Sequence, residues 1–288
     1  MEYTIKNDYL TAVIASNGAE LIKLIDKDGI NRLHTPSPDT WNRVSPILFP
    51  QISRMRGSEY KVDGTSYKMT THGFIRDNEL EMVEYSQTEV TFKYSHNEKT
   101  LEMYPYEFNF FVTYKLNDNK LEVSFRVENT SDKILRYMLG GHPGFKVPLF
   151  DDEKYSDYKI VFEKVEQEGK RMCVVDGYIC DQYDYYLAKK DTINLDHDLF
   201  VDDALIFPEL QSSYVDIISI NHDKKIRFHF FDFETLAIWS KTDPDLNLLC
   251  LEPWNGIQKN FVMEHEKMGV FEIAPHMFND FSYTIEVI

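Results

Sequence analysis

The sequence predicts an all-β fold, a large antiparallel β-sandwich with few short helices. Three observations predict it. Apolar and polar residues alternate along most of the chain, turn residues recur at short intervals, and 14% of the residues are aromatic. Alternation with a period of two is typical of half-buried strands, and aromatic residues favour strands. No segment keeps an apolar face at helical spacing over the length of a surface helix, so we expect only short helices.

Four hairpins can be predicted in chain order. In the third, which has the clearest pattern, apolar residues alternate with polar ones from Leu121 to Val127, after a turn at residues 117–119. Strands that alternate around such a turn are typical of a half-buried antiparallel hairpin. The four pairs of strands are 60–62 with 67–69, 80–85 with 90–94, the run ending at 116 with 121–127, and 217–220 with 226–230. Residues 151–198 show little periodicity, and we expect a loop-like stretch that covers a sheet edge or borders the site.

The 288 residues are expected to form a single domain, spanning residues 1–288. A chain of this length buries roughly three quarters of the surface that its extended form exposes, so it needs no metal or disulfide for a core. Neither a linker rich in Gly, Ser or Pro nor a charge block divides the sequence, and β-sandwiches of more than about 200 residues are common as one unit.

The charge and the termini limit the classes of partner. Lys and Arg number 31 against 48 Asp and Glu, which gives a net charge of −17. Such a charge repels nucleic acids and anionic membranes, so we expect a small-molecule ligand. The first residues lack a leader pattern and no long apolar run follows, which predicts a cytoplasmic protein. Three cysteines without a CxxC pattern indicate free thiols.

One histidine stands between glycines after an apolar, strand-like run. Residues 140–144 read GGHPG and place His142 at the end of that run. Small neighbours leave an imidazole accessible, and glycines permit positive φ angles. A general acid or base fits this position, and so does a turn histidine without a role.

Two further residues have local sequences that suit acid–base or ligand-binding roles. Glu252 follows the apolar run 248–251 and precedes Pro253. A carboxyl at the end of such a strand lies between core and cleft, where burial raises its pKa toward that of a base. A charge at the rim is the alternative. His72 precedes Gly73 and can contact a ligand hydroxyl, or it is a loop histidine with its bonds satisfied.

Arginines are concentrated between residues 43 and 76. Four of the nine arginines lie there. Guanidinium groups donate pairs of hydrogen bonds to oxygen atoms, so this cluster favours recognition of an anionic or hydroxyl-rich group. Surface ion pairs with the abundant acids are the alternative. The four are Arg43, Arg54, Arg56 and Arg76.

Together these motifs resemble the aldose 1-epimerase, or galactose mutarotase, superfamily, with the LacX-like subgroup as the nearest match. The resemblance rests on His72, His142 and the Leu-Glu-Pro-Trp segment of Glu252, in the family's order. It runs through nearly the whole chain. Three further stretches are similar to family motifs: residues 49–57 (FPQISRMRG), 104–108 (YPYEF) and 199–205 (LFVDDAL).

The resemblance implies a galactose mutarotase-like supersandwich that interconverts the α and β anomers of a hexose without a cofactor or metal. By position, Glu252 is the base that takes the proton from the anomeric hydroxyl. His142 is the acid that protonates the ring oxygen. His72 and Arg54 match substrate-binding positions. Positioned acid–base groups of this kind contribute about 10²–10⁴-fold to a rate.

Two features leave the substrate and its acidic binding residue open. The family's acidic sugar-binding residue matches Asp203, with Asp202 and Asp196 as alternatives. His72 is followed by Gly-Phe-Ile-Arg, which is similar to the pattern of hexose-6-phosphate mutarotases. That similarity implies a phosphorylated hexose held by Arg76, together with Arg54.

Three other readings follow from the residues. The protein could be a non-catalytic sugar-binding β-sandwich, or a glycoside hydrolase or lyase that pairs Glu252 with an aspartate. A metal site formed by His72, His142 and His276 lacks local ligand spacing. Nucleotide-binding, zincin and α/β-hydrolase motifs are absent from the sequence.

Overall fold

The protein's architecture comes from a computed structural model, which describes residues 1–243, 245–258, 265 and 268–288. The strands in chain order are Glu2–Lys6 (β1), Leu10–Ala15 (β2), Leu21–Asp26 (β3), Ile47–Leu48 (β4), Glu59–Val62 (β5), Thr65–Lys68 (β6), Glu81–Tyr85 (β7), Glu89–Ser95 (β8), Phe108–Asn117 (β9), Lys120–Asn129 (β10), Leu135–Tyr137 (β11), Leu139–Gly141 (β12), Gly144–Phe145 (β13), Tyr158–Glu166 (β14), Arg171–Val175 (β15), Tyr178–Asp184 (β16), Lys190–Asn194 (β17), Leu205–Pro208 (β18), Tyr214–Ser219 (β19), Lys225–His229 (β20), Thr235–Trp239 (β21), Leu249–Asn255 (β22), Phe271–Ile273 (β23) and Phe278–Val287 (β24).

The helices are short, as the sequence predicted. The α-helix Glu98–Met103 (α1) begins at Asn97, whose side chain accepts a hydrogen bond from the backbone N–H of Thr100. The 3₁₀ helices are Arg56–Ser58, Ile75–Asp77, Tyr155–Asp157 and His197–Phe200. Among the described residues, no helix has the length and apolarity needed to cross a membrane.

Two large antiparallel sheets contain most of the strands. The nine-stranded sheet has the order β17-β14-β19-β20-β24-β10-β9-β8-β7. The eight-stranded sheet has the order β16-β15-β18-β21-β22-β12-β4, with β13 also paired to β22. Smaller sheets are formed by β1-β2-β3, by β5-β6 and by β11-β23.

The two large sheets pack face to face through aromatic residues. Phe145 of β13 contacts Phe228 of β20, with ring centroids 6.1 Å apart, and Phe162 of β14 contacts Phe207 of β18 at 6.1 Å. All four rings belong to one buried cluster. The predicted antiparallel β-sandwich is therefore confirmed, and the single-domain assignment stays a prediction.

The hairpin of β9 and β10 shows why local sequence determines a strand pair. Leu121, Val123, Phe125 and Val127 are buried, and the residues between them are more exposed. The turn comprises Asp118 and Asn119, and Asp118 has a φ of 50°. Such two-residue turns need positive φ, which Asp and Asn tolerate. The other three predicted hairpins form as β5-β6, β7-β8 and β19-β20.

The loop-like stretch predicted for residues 151–198 is wrong in part, because this segment forms the four strands β14 to β17. β17 lies at the edge of the nine-stranded sheet and β16 at the edge of the eight-stranded sheet. An edge strand has one neighbour and tolerates charged side chains, which weakens the alternation of apolar and polar residues. The segment thus supplies an edge strand to each large sheet and does not cover an edge as a loop.

Candidate active site

Neighbouring strands of the eight-stranded sheet bring Glu252 and His142 together. β12 and β13 pair with β22 in one common register, and the position facing Glu252 in that register is residue 142. Facing residues of antiparallel strands point to the same side of the sheet. Accordingly, His142 Nε2 lies 3.2 Å from Glu252 Oε1. The neighbouring pairs are Gly140 with Trp254 and Gly144 with Cys250.

Glu252 lies in the middle of β22 and is 2% exposed, whereas the sequence predicted a strand end at the core boundary. Proline disfavours central strands because it lacks an N–H. The N–H of Leu251 donates to the Pro143 carbonyl at 3.2 Å, and N–H groups two residues apart point to the same side. The N–H that Pro253 lacks would point to the side of β22 where the pairing strands β12 and β13 are separated by a break. β22 therefore continues through Pro253.

The glycines around His142 serve close packing. The prediction that they are needed for positive φ angles is wrong, because Gly140, Gly141 and Gly144 do not have positive φ. A Cβ on Gly144 would lie 2.6 Å from Cζ3 of Trp41. His142 is 7% exposed and lies beside this close contact. The glycine thus makes room for an aromatic ring next to the histidine.

His72 is held by a tight turn against a second loop. Its φ is 65°, and Gly73 follows with a φ of 73° and an ideal Cβ position only 2.1 Å from the Phe49 carbonyl oxygen, so only glycine fits there. The backbone N–H of Ser53 donates to His72 Nδ1 at 3.1 Å. Since Nδ1 accepts, the neutral ring carries its proton on Nε2. The ring centroids of His72 and His142 are 5.7 Å apart.

All six residues that the sequence predicted for the site line one cavity of about 240 Å³. This volume is below the range of about 300–1,000 Å³ typical of sites for drug-sized ligands, and it suits a small polar molecule. A larger cleft of about 1300 Å³ lies elsewhere, and no histidine lines it. The six residues are Glu252, His142, His72, Arg54, Asp203 and Arg76. Their roles stay predictions.

The three candidate aspartates lie in different places. Asp203 is among the lining residues of the cavity, and its φ is 95°. Asp202 lines an adjoining groove, to which Asp203 also contributes. Asp196 caps a 3₁₀ helix, where it accepts a hydrogen bond from the Asp198 N–H at 2.9 Å. Of the three, only Asp203 belongs to the cavity lining as described.

Two of the clustered arginines face the cavity. Arg76 Nη2 donates to the Thr71 carbonyl at 2.7 Å, while Arg76 Nε is buried without a hydrogen-bond partner among the described residues. Arg43 does not line the cavity; it pairs with Asp77 and donates to the Arg76 carbonyl. Arg54 lies exposed in the wall. The side chain of Arg56 lies outside the described part of the chain.

Burial keeps both partners of the Glu252–His142 pair from carrying a charge alone. The pKa of His142 is lowered from 6.5 to about 3, mainly by burial, with a smaller contribution from the nearby Arg76 and Arg43. Burial raises the pKa of Glu252 well above 4.5, and Asp203 adds to this rise while Trp254 and Arg76 oppose it. The pair consequently holds one shared proton over a wide pH range.

His72 is also kept neutral. Burial lowers its pKa well below 6.5, and His142 and the arginines add to this effect. A neutral His72 retains the Ser53 hydrogen bond at Nδ1 and presents an N–H donor at Nε2. Such a donor can bind a ligand oxygen. His276 is not among the lining residues, and it pairs with Asp132 at 2.9 Å.

Three tryptophans form the aromatic part of the wall. They are Trp41, Trp239 and Trp254. Tyr104 of the YPYEF segment lies in the core and donates to the Arg136 carbonyl at 2.6 Å. Trp41, which no sequence motif singled out, stacks on His142 with centroids 5.1 Å apart and planes at 28°. The only sequence signal was that tryptophan occurs three times in the chain.

Comparison with known proteins agrees with this architecture. The family profile described as aldose 1-epimerase matches residues 1–278. The chain belongs to the aldose 1-epimerase family. The family predicted from the sequence motifs is therefore confirmed.

Two kinds of relative support the membership in this aldose 1-epimerase family. The plasmid-encoded protein LacX of Lactococcus lactis subsp. lactis is 31% identical over 300 residues, which cover all of both chains. A galactose mutarotase related enzyme from Lactobacillus acidophilus superposes with a TM-score of 0.94 at 30% identity, covering 100% of this chain and 97% of that one. A galactose mutarotase-like protein from Lactobacillus casei gives 0.90 at 29% identity with full coverage of both.

Proposed function

We propose that this protein is a cofactor-independent aldose 1-epimerase that interconverts the α and β anomers of a hexose. One observation carries the proposal: Glu252 and His142, both buried, meet at 3.2 Å in a cavity of about 240 Å³. Membership in the aldose 1-epimerase family supports it. Anomer exchange needs one proton removed and one delivered at neighbouring oxygens, and a carboxylate beside an imidazolium supplies both.

In the reaction we propose, Glu252 takes the proton of the anomeric hydroxyl while His142 gives its proton to the ring oxygen. The bond between C1 and the ring oxygen breaks, C1 and its own oxygen become an aldehyde, and the ring oxygen becomes a hydroxyl. Rotation about C1–C2 presents the other face of the aldehyde. Closure then returns one proton from the hydroxyl to His142 and one from Glu252 to the anomeric oxygen.

The number of protons that Glu252 and His142 hold at rest suits this order of reaction steps. The reactive form has a carboxylate and an imidazolium, and it carries the same single proton as a neutral carboxyl beside a neutral imidazole. Burial favours the neutral form at rest, since it lowers the pKa of His142 and raises that of Glu252. Transfer of the shared proton across 3.2 Å prepares the reactive form without exchange with solvent.

The remaining lining residues are proposed to bind the sugar. His72 offers its Nε2–H to a sugar oxygen, since its Nδ1 is occupied by Ser53. Arg54 and Asp203 face each other across Gly177, whose ideal Cβ position lies 3.3 Å from Arg54 Nη1 and 3.7 Å from Asp203 Oδ2. A guanidinium beside a carboxylate supplies both donors and acceptors, which vicinal hydroxyls require.

A phosphorylated hexose is the second candidate substrate, favoured by the state of Arg76. Its Nε is buried without a hydrogen-bond partner among the described residues, and Arg54 lines the same cavity. Burial lowers the pKa of Arg76 and Arg43 adds to this effect, while Asp77, whose Oδ2 lies 3.9 Å from Arg76 Nε, opposes it. A phosphate bound there would accept from both guanidinium groups.

The test is anomer exchange measured by NMR saturation transfer on glucose, galactose and their 6-phosphates. We expect Glu252→Gln to reduce the exchange rate about 10²–10⁴-fold. Asp196→Asn is the matched control because this carboxylate is exposed and outside the cavity lining. Faster exchange of the 6-phosphates would favour the second candidate. Saturable sugar binding without exchange above buffer would contradict the proposal and favour a non-catalytic sugar-binding protein.

A further inference from the structure

Trp41 covers one face of the imidazole of His142. The centroids lie 5.1 Å apart with an interplanar angle of 28°, which is an offset stack. Trp239 meets the same imidazole at 5.8 Å with an angle of 82°, so the two indoles contact His142 in different orientations. Trp41 and Trp239 also contact each other, at 5.9 Å.

Hydrogen bonds to the backbone carbonyls of Thr40 and Trp41 hold the loop that carries the indole. His34 Nε2 lies 3.4 Å from the Trp41 carbonyl oxygen, and the Ser37 N–H donates to the same oxygen at 3.0 Å. The ammonium group of Lys241 donates to the Thr40 carbonyl. These bonds place the indole in the space that Gly144 leaves open. Trp41 therefore holds a defined position over His142.

Few of the charged and titratable groups around His142 favour its protonated form. Arg76 and Arg43 disfavour an imidazolium, and the neutral His72 contributes no negative charge. Glu252 is the one acidic group among the described residues that contacts the ring within ion-pair distance. The negative face of an indole attracts a cation within about 6 Å, most strongly where water is excluded.

We propose that Trp41 is a positioning residue for the reaction: its indole face stabilises the imidazolium form of His142 and keeps Nε2 directed toward Glu252. The inference rests on the proposed function, because the imidazolium is the form that protonates the ring oxygen. In this role Trp41 affects the chemical step, and it does so through His142. Stacking on the sugar would instead change substrate binding.

The experiment compares Trp41→Leu with Trp41→Phe by anomer-exchange kinetics. Leucine fills the space without a π face, whereas phenylalanine keeps one. We expect kcat to fall about 10- to 30-fold in Trp41→Leu, with KM changed by less than about threefold. Trp41→Phe should restore most of kcat. Phe278→Leu is the matched control, since it removes a cation–π contact with Arg126 at 4.2 Å and lies outside the cavity lining.

A spectroscopic readout separates this inference from the proposed function. The ¹⁵N signal of His142 Nε2 in the resting protein reports the share of the proton that the imidazole holds. We expect Trp41→Leu to move it toward the value of an unprotonated nitrogen and Trp41→Phe to leave it near the parent value. An unmoved signal, a change in KM alone, or an equal loss of kcat in Phe278→Leu would overturn the role of Trp41. Absence of anomer exchange in the parent protein would instead contradict the proposed function.

Discussion

Replacing Glu252 with glutamine should remove activity and at the same time stabilise the protein at neutral and alkaline pH. Burial raises the pKa of Glu252 above its ordinary 4.5. A group with a raised pKa in the folded state contributes stability below 4.5, and that contribution is lost as the pH rises toward the folded value. Glutamine has the same shape and does not ionise, so this loss disappears in the variant.

The contribution of His142 to stability depends on pH in the opposite direction. The pKa of His142 is lowered from 6.5 to about 3, so its contribution is complete above pH 6.5 and is lost as the pH falls. Between pH 4.5 and 6.5 the two slopes, each about 1.4 kcal/mol per pH unit, cancel in the parent. Above pH 6.5 only the Glu252 slope remains, and the parent loses stability until the folded pKa of Glu252 is reached.

The difference between variant and parent isolates Glu252 between pH 5 and pH 7, because His142, with a pKa lowered to about 3, is neutral in the folded state over that range. We expect the unfolding free energy of Glu252→Gln, relative to the parent, to rise by about 2.7 kcal/mol from pH 5 to pH 7, if the carboxyl stays protonated over that range. This corresponds to a relative rise in melting temperature of about 5–11 °C at about 2–4 °C per kcal/mol.

The assay is thermal and urea unfolding of both proteins at pH 5 and pH 7 at equal ionic strength, combined with anomer exchange at pH 7. The amide of glutamine can donate to His142 Nε2 across the present 3.2 Å distance, so the geometry is retained. An equal stability difference at the two pH values, or a variant less stable at pH 7, would refute the reasoning about the buried pair.

Three other substitutions test the geometry. Gly73→Ala should destabilise the fold by about 2–4 kcal/mol in urea unfolding, because φ is 73° and the new Cβ would lie 2.1 Å from the Phe49 carbonyl oxygen; an unchanged midpoint would contradict this. Arg32→Met should cost about 3–5 kcal/mol in the same unfolding assay, since it leaves the buried Asp26 carboxylate without its 2.9 Å partner; an unchanged stability would argue against this role of the pair. Asp203→Asn should raise KM for the sugar and change kcat little, which steady-state kinetics can check; a loss of kcat alone would argue against sugar binding by this residue.

Several elements could be predicted from the sequence because their determinants are local. The β9-β10 hairpin combines alternating apolar residues with a turn at Asp118 and Asn119, and both signals lie within a few residues. The edge strands β16 and β17 were missed because each has a neighbouring strand on one side only and mixed side chains are tolerated there. Glu252 was placed at a strand end because the local sequence does not show that β12 and β13 are interrupted beside Pro253.

The sequence by itself determined that the chain forms strands, where most of them turn, and which residues have the chemistry for acid–base work. These properties depend on side-chain type and on neighbours along the chain. Only the tertiary structure decided that His142 faces Glu252 in register, that Asp203 rather than Asp196 lines the cavity, and that Trp41 stacks on the histidine. Such contacts join residues far apart in the chain, and they follow from strand register and packing, which local patterns do not specify.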